Sequence, residues 1–259
     1  MTLDEDILKN HGGVNSNSFV NIMSADGTDS EDCVHVIKHS PYFDSDTLTS
    51  LLKNKQNVFT LFSTNIQSIR AKFSELKIFI ETLRETGFEF SAICCQETNT
   101  SDNTDLSRCK LDDYKMIHQG YSCTTKGGLI IYLHNKFEYT KKMTLNSYKN
   151  WEGQVIQVKK NDNLSRPVTI GNIYRPPREL VEEYREFLTE FNPVLDKLCK
   201  VNGETILTGD FNIDLLKINE KSIIAEYFDM LTNESLFPKI TLPTRFSNKH
   251  GTLIDNFFL

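Results

Sequence analysis

Strand-length apolar runs outnumber helix-length ones in this chain, and most neighbouring runs leave no room between them for a crossover helix. Segments 58–63, 88–95, 127–133, 154–158, 168–174 and 204–208 read as strands from their length and their β-branched and aromatic content. A further apolar run, 252–259, ends the chain. Helical spacing is confined to a few stretches. Ile69, Phe73, Leu76, Ile80 and Leu83 form one stripe, stopped by Gly87. Leu180, Tyr184, Phe187, Phe191 and Leu195 form another after Pro176-Pro177, with glutamates in the first turns where the helix dipole favours them. A third helix is expected near 222–235. Parallel sheets need a crossover between strands, so this pattern argues against a Rossmann fold or a TIM barrel. It predicts a mixed-sheet α/β sandwich.

Charge divides the chain. Residues 1–57 hold 9 acids and 4 bases, and residues 58–259 hold 26 acids and 25 bases. The overall charge of −6 is therefore mostly a property of the first segment. Residues 1 to about 34, rich in Asn, Ser, Asp and Gly without periodicity, are expected to be disordered. In 35–55 a short strand (Val34-His35-Val36-Ile37) and a short helix capped by Ser45 or Asp46 are expected, and the sequence leaves their docking open. The domain reading is thus an acidic extension over 1–57 and a folded body over 58–259. That body is near neutral and lacks the overall basic charge of a tight duplex binder, so any DNA contact must come from a local basic face. Six cysteines carry no CxxC spacing, and Cys94 and Cys95 read as buried strand thiols. No signal peptide or membrane span is read, and the expected location is intracellular, nuclear or cytoplasmic.

Polar turns sit where the strands end. Gly209-Asp210-Phe211-Asn212 follows the apolar Thr205-Ile206-Leu207, and Gln96-Glu97-Thr98 closes another strand. A carboxylate and an amide on a glycine-started turn suit a hard divalent cation and a water it activates, although Gly-Asp-x-Asn also describes an ordinary turn. The ordered set carries more weight: Asn65 after one strand, Glu97 after the next, Tyr174 after a third, then Asp210 with Asn212, then Asp255 in the terminal run. That order points to metal-dependent phosphodiester cleavage.

These residues belong to longer stretches that resemble a known family. They are Ser63-Thr64-Asn65, Gln96-Glu97-Thr98, Gly127-Gly128-Leu129-Ile130-Ile131-Tyr132, Asn172-Ile173-Tyr174-Arg175-Pro176-Pro177, Gly209-Asp210-Phe211-Asn212, Pro243-Thr244-Arg245 and Thr252-Leu253-Ile254-Asp255. Residues 58–259 resemble the endonuclease/exonuclease/phosphatase family, in particular the apurinic-endonuclease-like domain of LINE-type (non-LTR) retrotransposons. Ile37-Lys38-His39-Ser40-Pro41-Tyr42-Phe43-Asp44 resembles sequence that precedes such domains. The resemblance implies a deoxyribonuclease-I-like sandwich that nicks DNA with Mg²⁺, or Mn²⁺ in its place, ahead of a reverse transcriptase domain encoded downstream. It makes Glu97 the principal metal ligand, with Asn65 on the metal or the phosphate. Asp210 orients or deprotonates the attacking water, Asn212 holds a phosphate oxygen or water, and Tyr174 donates to developing negative charge. Arg175, Arg245 and Lys126, with Lys249, are candidate contacts to the DNA backbone.

In the family, Asp255 orients a histidine carried by a later Ser-Asp-His motif. None of the six histidines present stands in that context, and His250 reads as a loop residue. The expectation is therefore a body lacking its final strand, either a weakened nuclease or an inactive remnant. Another phosphodiesterase or phosphatase on the same framework is the third reading.

Overall fold

The computed structural model describes residues 21–25, 40–52, 58–121, 126–145, 150–161, 164–247 and 250–259. The expected strand 34–37 and Lys249 fall outside these residues.

Two five-stranded sheets face each other. The first contains β1 (Asn21–Ala25), β2 (Phe59–Asn65), β3 (Ala92–Gln96), β4 (Tyr114–Gln119) and β5 (Leu129–His134), in the order β1-β2-β3-β5-β4. The second contains β6 (Tyr139–Leu145), β7 (Glu152–Val158), β8 (Val168–Tyr174), β9 (Glu204–Asp210) and β12 (Asp255–Phe258), in the order β12-β9-β8-β7-β6. Within these sheets, β2/β3 and β8/β9 run parallel, and the other pairs run antiparallel. The parallel pairs are the two places where a long helix intervenes: α2 (Ile69–Glu85) and α3 (Val181–Cys199). A two-stranded ribbon, β10 (Arg245–Ser247) and β11 (His250–Thr252), precedes β12. Among the described residues no helix is long and apolar enough to cross a membrane.

Alternation along β3 explains the layering. Ala92 and Cys94 point into the core shared by the two sheets, whereas Ile93 and Cys95 join the cluster under α2 and α1 (Ser45–Leu52), as period-two geometry requires. Both thiols are buried, as expected, and burial raises their pKa values. On the far side, α3 and α4 (Ser222–Asn233) cover the second sheet with Phe187, Phe191, Leu195 and Tyr227. One polar bridge crosses the sandwich. The fully buried Asn172 donates to the carbonyls of Cys95 and Ile130 (both 3.3 Å), and its Oδ1 accepts from Gln96 Nε2 at 2.6 Å. Gln96 also donates to Ser63 Oγ at 3.0 Å. A buried amide so fully engaged fixes how the sheets sit on each other.

The mixed sandwich is as the sequence predicts, with local corrections. The strand expected over 88–95 begins only at Ala92. The edge strand β4 went unpredicted because its polar stretch matches a solvent-facing loop as well as a strand, whereas Lys141 and Lys142, readable as sheet-edge charges, do stand on the edge strand β6. Within the segment expected to be disordered, Asn21–Ala25 pairs antiparallel with β2. The first helix is capped by Asp44, whose Oδ1 accepts from Thr47 N at 2.8 Å. This helix docks on the body, burying Leu48 and Leu52 beneath the first sheet. His250 begins β11 and is not in a loop.

Candidate active site

Register across the second sheet lines up Glu152, Tyr174, Asp210 and Asp255 as successive partners on β7, β8, β9 and β12. In the first sheet Asn65 is the partner of Gln96, one residue before Glu97. The loops leaving β2 and β3 are tied together: Ser68 N donates to the Glu97 carbonyl at 2.8 Å and Ile69 N to that of Thr98 at 3.0 Å. One row from each sheet thus meets at a cleft of about 430 Å³, lined among others by Asn65, Glu97, Lys126, Tyr174, Asp210, Asn212, Arg245 and Asp255.

Asn65 joins the two halves. Its Nδ2 donates to Glu97 Oε1 at 2.8 Å and to Asp210 Oδ2 at 2.7 Å. The two carboxylates are therefore no farther apart than those two bonds laid end to end. The Asn65 oxygen accepts from Gln67 N at 3.2 Å. Asp210 is 2% exposed, and its Oδ1 accepts from Asn212 N at 3.0 Å. Burial, then the Asp255 charge, raises its pKa well above the ordinary carboxyl value. Burial likewise pushes Asp255 up to about 6, against the opposing pull of the Thr244 hydroxyl and Arg245. Tyr174 lines the same cleft as Glu97. Burial and the Glu97 and Asp210 charges raise its pKa, so the phenol stays a donor at neutral pH.

The backbone is strained where these residues sit. Glu97 (φ 49°), Asn99 (φ 54°) and Asn212 (φ 48°) all occupy the left-handed region, an arrangement that clusters at functional sites. Gly209, at φ 148°, is required: a Cβ there would strike the Ile173 carbonyl.

The cleft therefore collects Asn65, Glu97, Tyr174, Asp210, Asn212 and Asp255, with Lys126 and Arg245 also in its lining. It does not collect Arg175. This residue, expected to touch DNA, is fully buried, its guanidinium 4.3 Å from the Tyr184 ring centroid and 5.5 Å from that of Phe187. Alternation is the reason: with Tyr174 facing the cleft, the next side chain turns toward α3. Arg175 instead clamps the Gly209–Asn212 turn from behind. Its N–H donates to the Asp210 carbonyl (2.9 Å), its Nη1 to the Asn212 carbonyl (3.3 Å), and its own carbonyl accepts from Asn212 Nδ2 (2.8 Å).

Two contributors could be placed only by the fold. Glu152 is buried, and its Oε2 accepts from Gly128 N at 2.7 Å. That contact holds the Gly127-Gly128 turn, whose carbonyls accept from Asn99 N (2.7 Å) and Thr98 N (3.1 Å). Thr244 Oγ1 donates to Asp255 Oδ2 at 2.7 Å. Thr244 stands inside a stretch already singled out, but its partner could be read only from the fold. No histidine lines the cleft among the described residues.

The donor set fits a hard divalent cation. Glu97, Asp210 and Asp255 face one cleft, and burial first, then the neighbouring carboxylate charges, raises the proton affinity of the two aspartates. Among the described residues no three His, Cys, Asp or Glu side chains converge into a complete metal cage. Mg²⁺ needs none, because it is held by one or two carboxylates and keeps several waters.

No family model matches the chain. Solved structures do. The endonuclease domain of TRAS1, a telomere-specific non-LTR retrotransposon, aligns with TM-score 0.54 and 15% identity over 76% of this chain and 82% of that one. The AP endonuclease LMAP from Leishmania major gives 0.56 and 12% over 76% and 78%. The 3′-5′ exonuclease NExo from Neisseria meningitidis gives 0.55 and 16% over 76% and 85%. The likeness is one of fold: the chain is an α/β sandwich of the deoxyribonuclease-I-like type.

Proposed function

We propose that this chain is a Mg²⁺-dependent phosphodiesterase that nicks DNA, leaving a 3′-hydroxyl for extension by a reverse transcriptase domain encoded downstream. The observation that carries the reading is the Asn65 amide, which ties Glu97 from one sheet to Asp210 from the other. A purely structural amide has no need of two carboxylates in an open cleft.

Glu97 would hold the cation, with Asn65 beside it and Mn²⁺ able to replace Mg²⁺. Bound there, the cation supplies charge neutralisation for the phosphate oxygens. Asp210, which lines the cleft beside Glu97, would accept the proton of an attacking water. Water adds to phosphorus as its proton passes to Asp210. The P–O3′ bond breaks, and the 3′ oxygen leaves as a hydroxyl after taking a proton from water. Tyr174, a permanent donor, is aimed at the charge that builds on the non-bridging oxygens. Lys126 and Arg245 form the local basic face that a near-neutral body requires.

The test is nicking of supercoiled plasmid by the 259-residue chain with Mg²⁺, with EDTA, and with Glu97→Gln. Relaxed circles should form with Mg²⁺, disappear with EDTA, and fall at least about 100-fold in the variant. Nicking that survives Glu97→Gln refutes the assignment. Phosphate release from 3′-phosphate ends without nicking would move the reading to a phosphatase on the same fold.

A further inference from the structure

Ser40 and Tyr42 lie between β1 and β2, in a segment whose charge and composition set it apart from the body. In the structure they grip the chain 200 residues later. Ser40 N donates to Thr241 Oγ1 at 3.1 Å, and Thr241 N returns a bond to Ser40 Oγ at 3.0 Å. The Tyr42 hydroxyl donates to the Pro243 carbonyl at 2.8 Å, and its ring centroid lies 6.3 Å from that of Phe246.

What they grip leads directly to the cleft. Thr244, next to Pro243, donates its hydroxyl to Asp255 Oδ2 and accepts from the N–H groups of Ile254 (3.3 Å) and Asp255 (3.2 Å). Arg245, one residue on, lines the cleft. On its other side this segment is held by the Thr244 N bond to the Thr252 carbonyl (2.9 Å) and by the three-residue ribbon β10/β11. A two-stranded ribbon this short is marginal by itself, so the contacts from Ser40 and Tyr42 bear on where Thr244 sits.

We propose that Tyr42 is a positioning residue for the cleft: by fixing the Pro243 carbonyl, its hydroxyl keeps Thr244 on Asp255. Burial pushes the phenol up to about 12, so the hydroxyl remains a donor throughout the working range of pH. The segment between β1 and β2 is therefore part of the site's scaffold. The kinetic half of this claim rests on the nuclease reading; the structural half does not.

Tyr42→Phe keeps the ring on Phe246 and deletes the hydroxyl alone. Losing one hydrogen bond of ordinary strength should speed amide hydrogen exchange about fivefold at residues 244–247 and leave β9 unchanged. Plasmid nicking should lose about fivefold in kcat with KM for DNA changed less than twofold. Leu76→Ala, which thins the cluster under α2, is the control for lost stability: it should lower Tm without selective loosening of 244–247 and without a change in kcat. The proposal is overturned if Tyr42→Phe leaves exchange at 244–247 unchanged, loosens the whole sandwich as Leu76→Ala does, or loosens the segment while kcat stays constant. A wild-type chain without Glu97-dependent nicking would refute the nuclease reading instead, and the exchange pattern would then decide on its own whether Tyr42 fixes the segment.

Discussion

Removing the charge of Asp255 should stabilise the metal-free protein, by an amount that grows with pH. Asp255 pairs with Asp210 across β12 and β9, and burial pushes its carboxyl from 3.8 up to about 6. The sign follows from linkage, because the folded value lies above the unfolded one. Below about pH 4 both states hold the proton and Asp255 costs nothing. Between about pH 4 and 6 the unfolded chain releases its proton while the folded chain keeps it, so stability falls as pH rises. Above about pH 6 the penalty is complete, at roughly 3 kcal/mol. Asp255 remains partly open to the cleft, so that figure is a ceiling lowered by solvent screening. Asp255→Asn cannot ionise, and its amide oxygen can still accept from Thr244. The variant should match the wild type near pH 4 and exceed it by ~1–3 kcal/mol at pH 7.5 in EDTA. For a domain of this size that is about 2–12 °C in Tm. Thermal and urea unfolding across this pH range provide the measurement, and saturating Mg²⁺ should narrow the gap by compensating the wild-type charge. An Asn variant no more stable at pH 7.5, or a gap independent of pH, would refute the reasoning.

Three further outcomes follow from the geometry. Asn172→Ala should cost ~2–4 kcal/mol in urea unfolding, because it removes three buried hydrogen bonds and leaves the Gln96 amide and two carbonyls short of partners. Gly209→Ala should cost at least ~3 kcal/mol or abolish soluble expression, since its Cβ meets the Ile173 carbonyl and β9 cannot move without displacing Asp210. Tyr174→Phe should keep Tm within about 3 °C yet slow nicking by ~10–100-fold. A rate unchanged in that variant would remove Tyr174 from the chemistry.

The residue types at the strand ends were legible from the sequence because turn chemistry and apolar periodicity are local. Leu207 to Asn212 has to end a buried strand on a polar turn wherever that strand pairs, and Glu97 follows an equally apolar run. The sandwich itself was legible for the same reason, since runs without crossovers cannot make a parallel barrel. Other features depended on pairings that no local pattern encodes. Register decided that Tyr174, Asp210 and Asp255 stand in one row. Packing of one sheet on the other decided that Asn65 reaches both Glu97 and Asp210. A one-residue alternation buried Arg175, a basic residue that had been a candidate contact to DNA. Glu152 looked like any strand carboxylate until Gly128 was placed against it. Ser40 and Tyr42 found their partners some 200 residues away, and a contact of that separation exists only once the chain between them has folded.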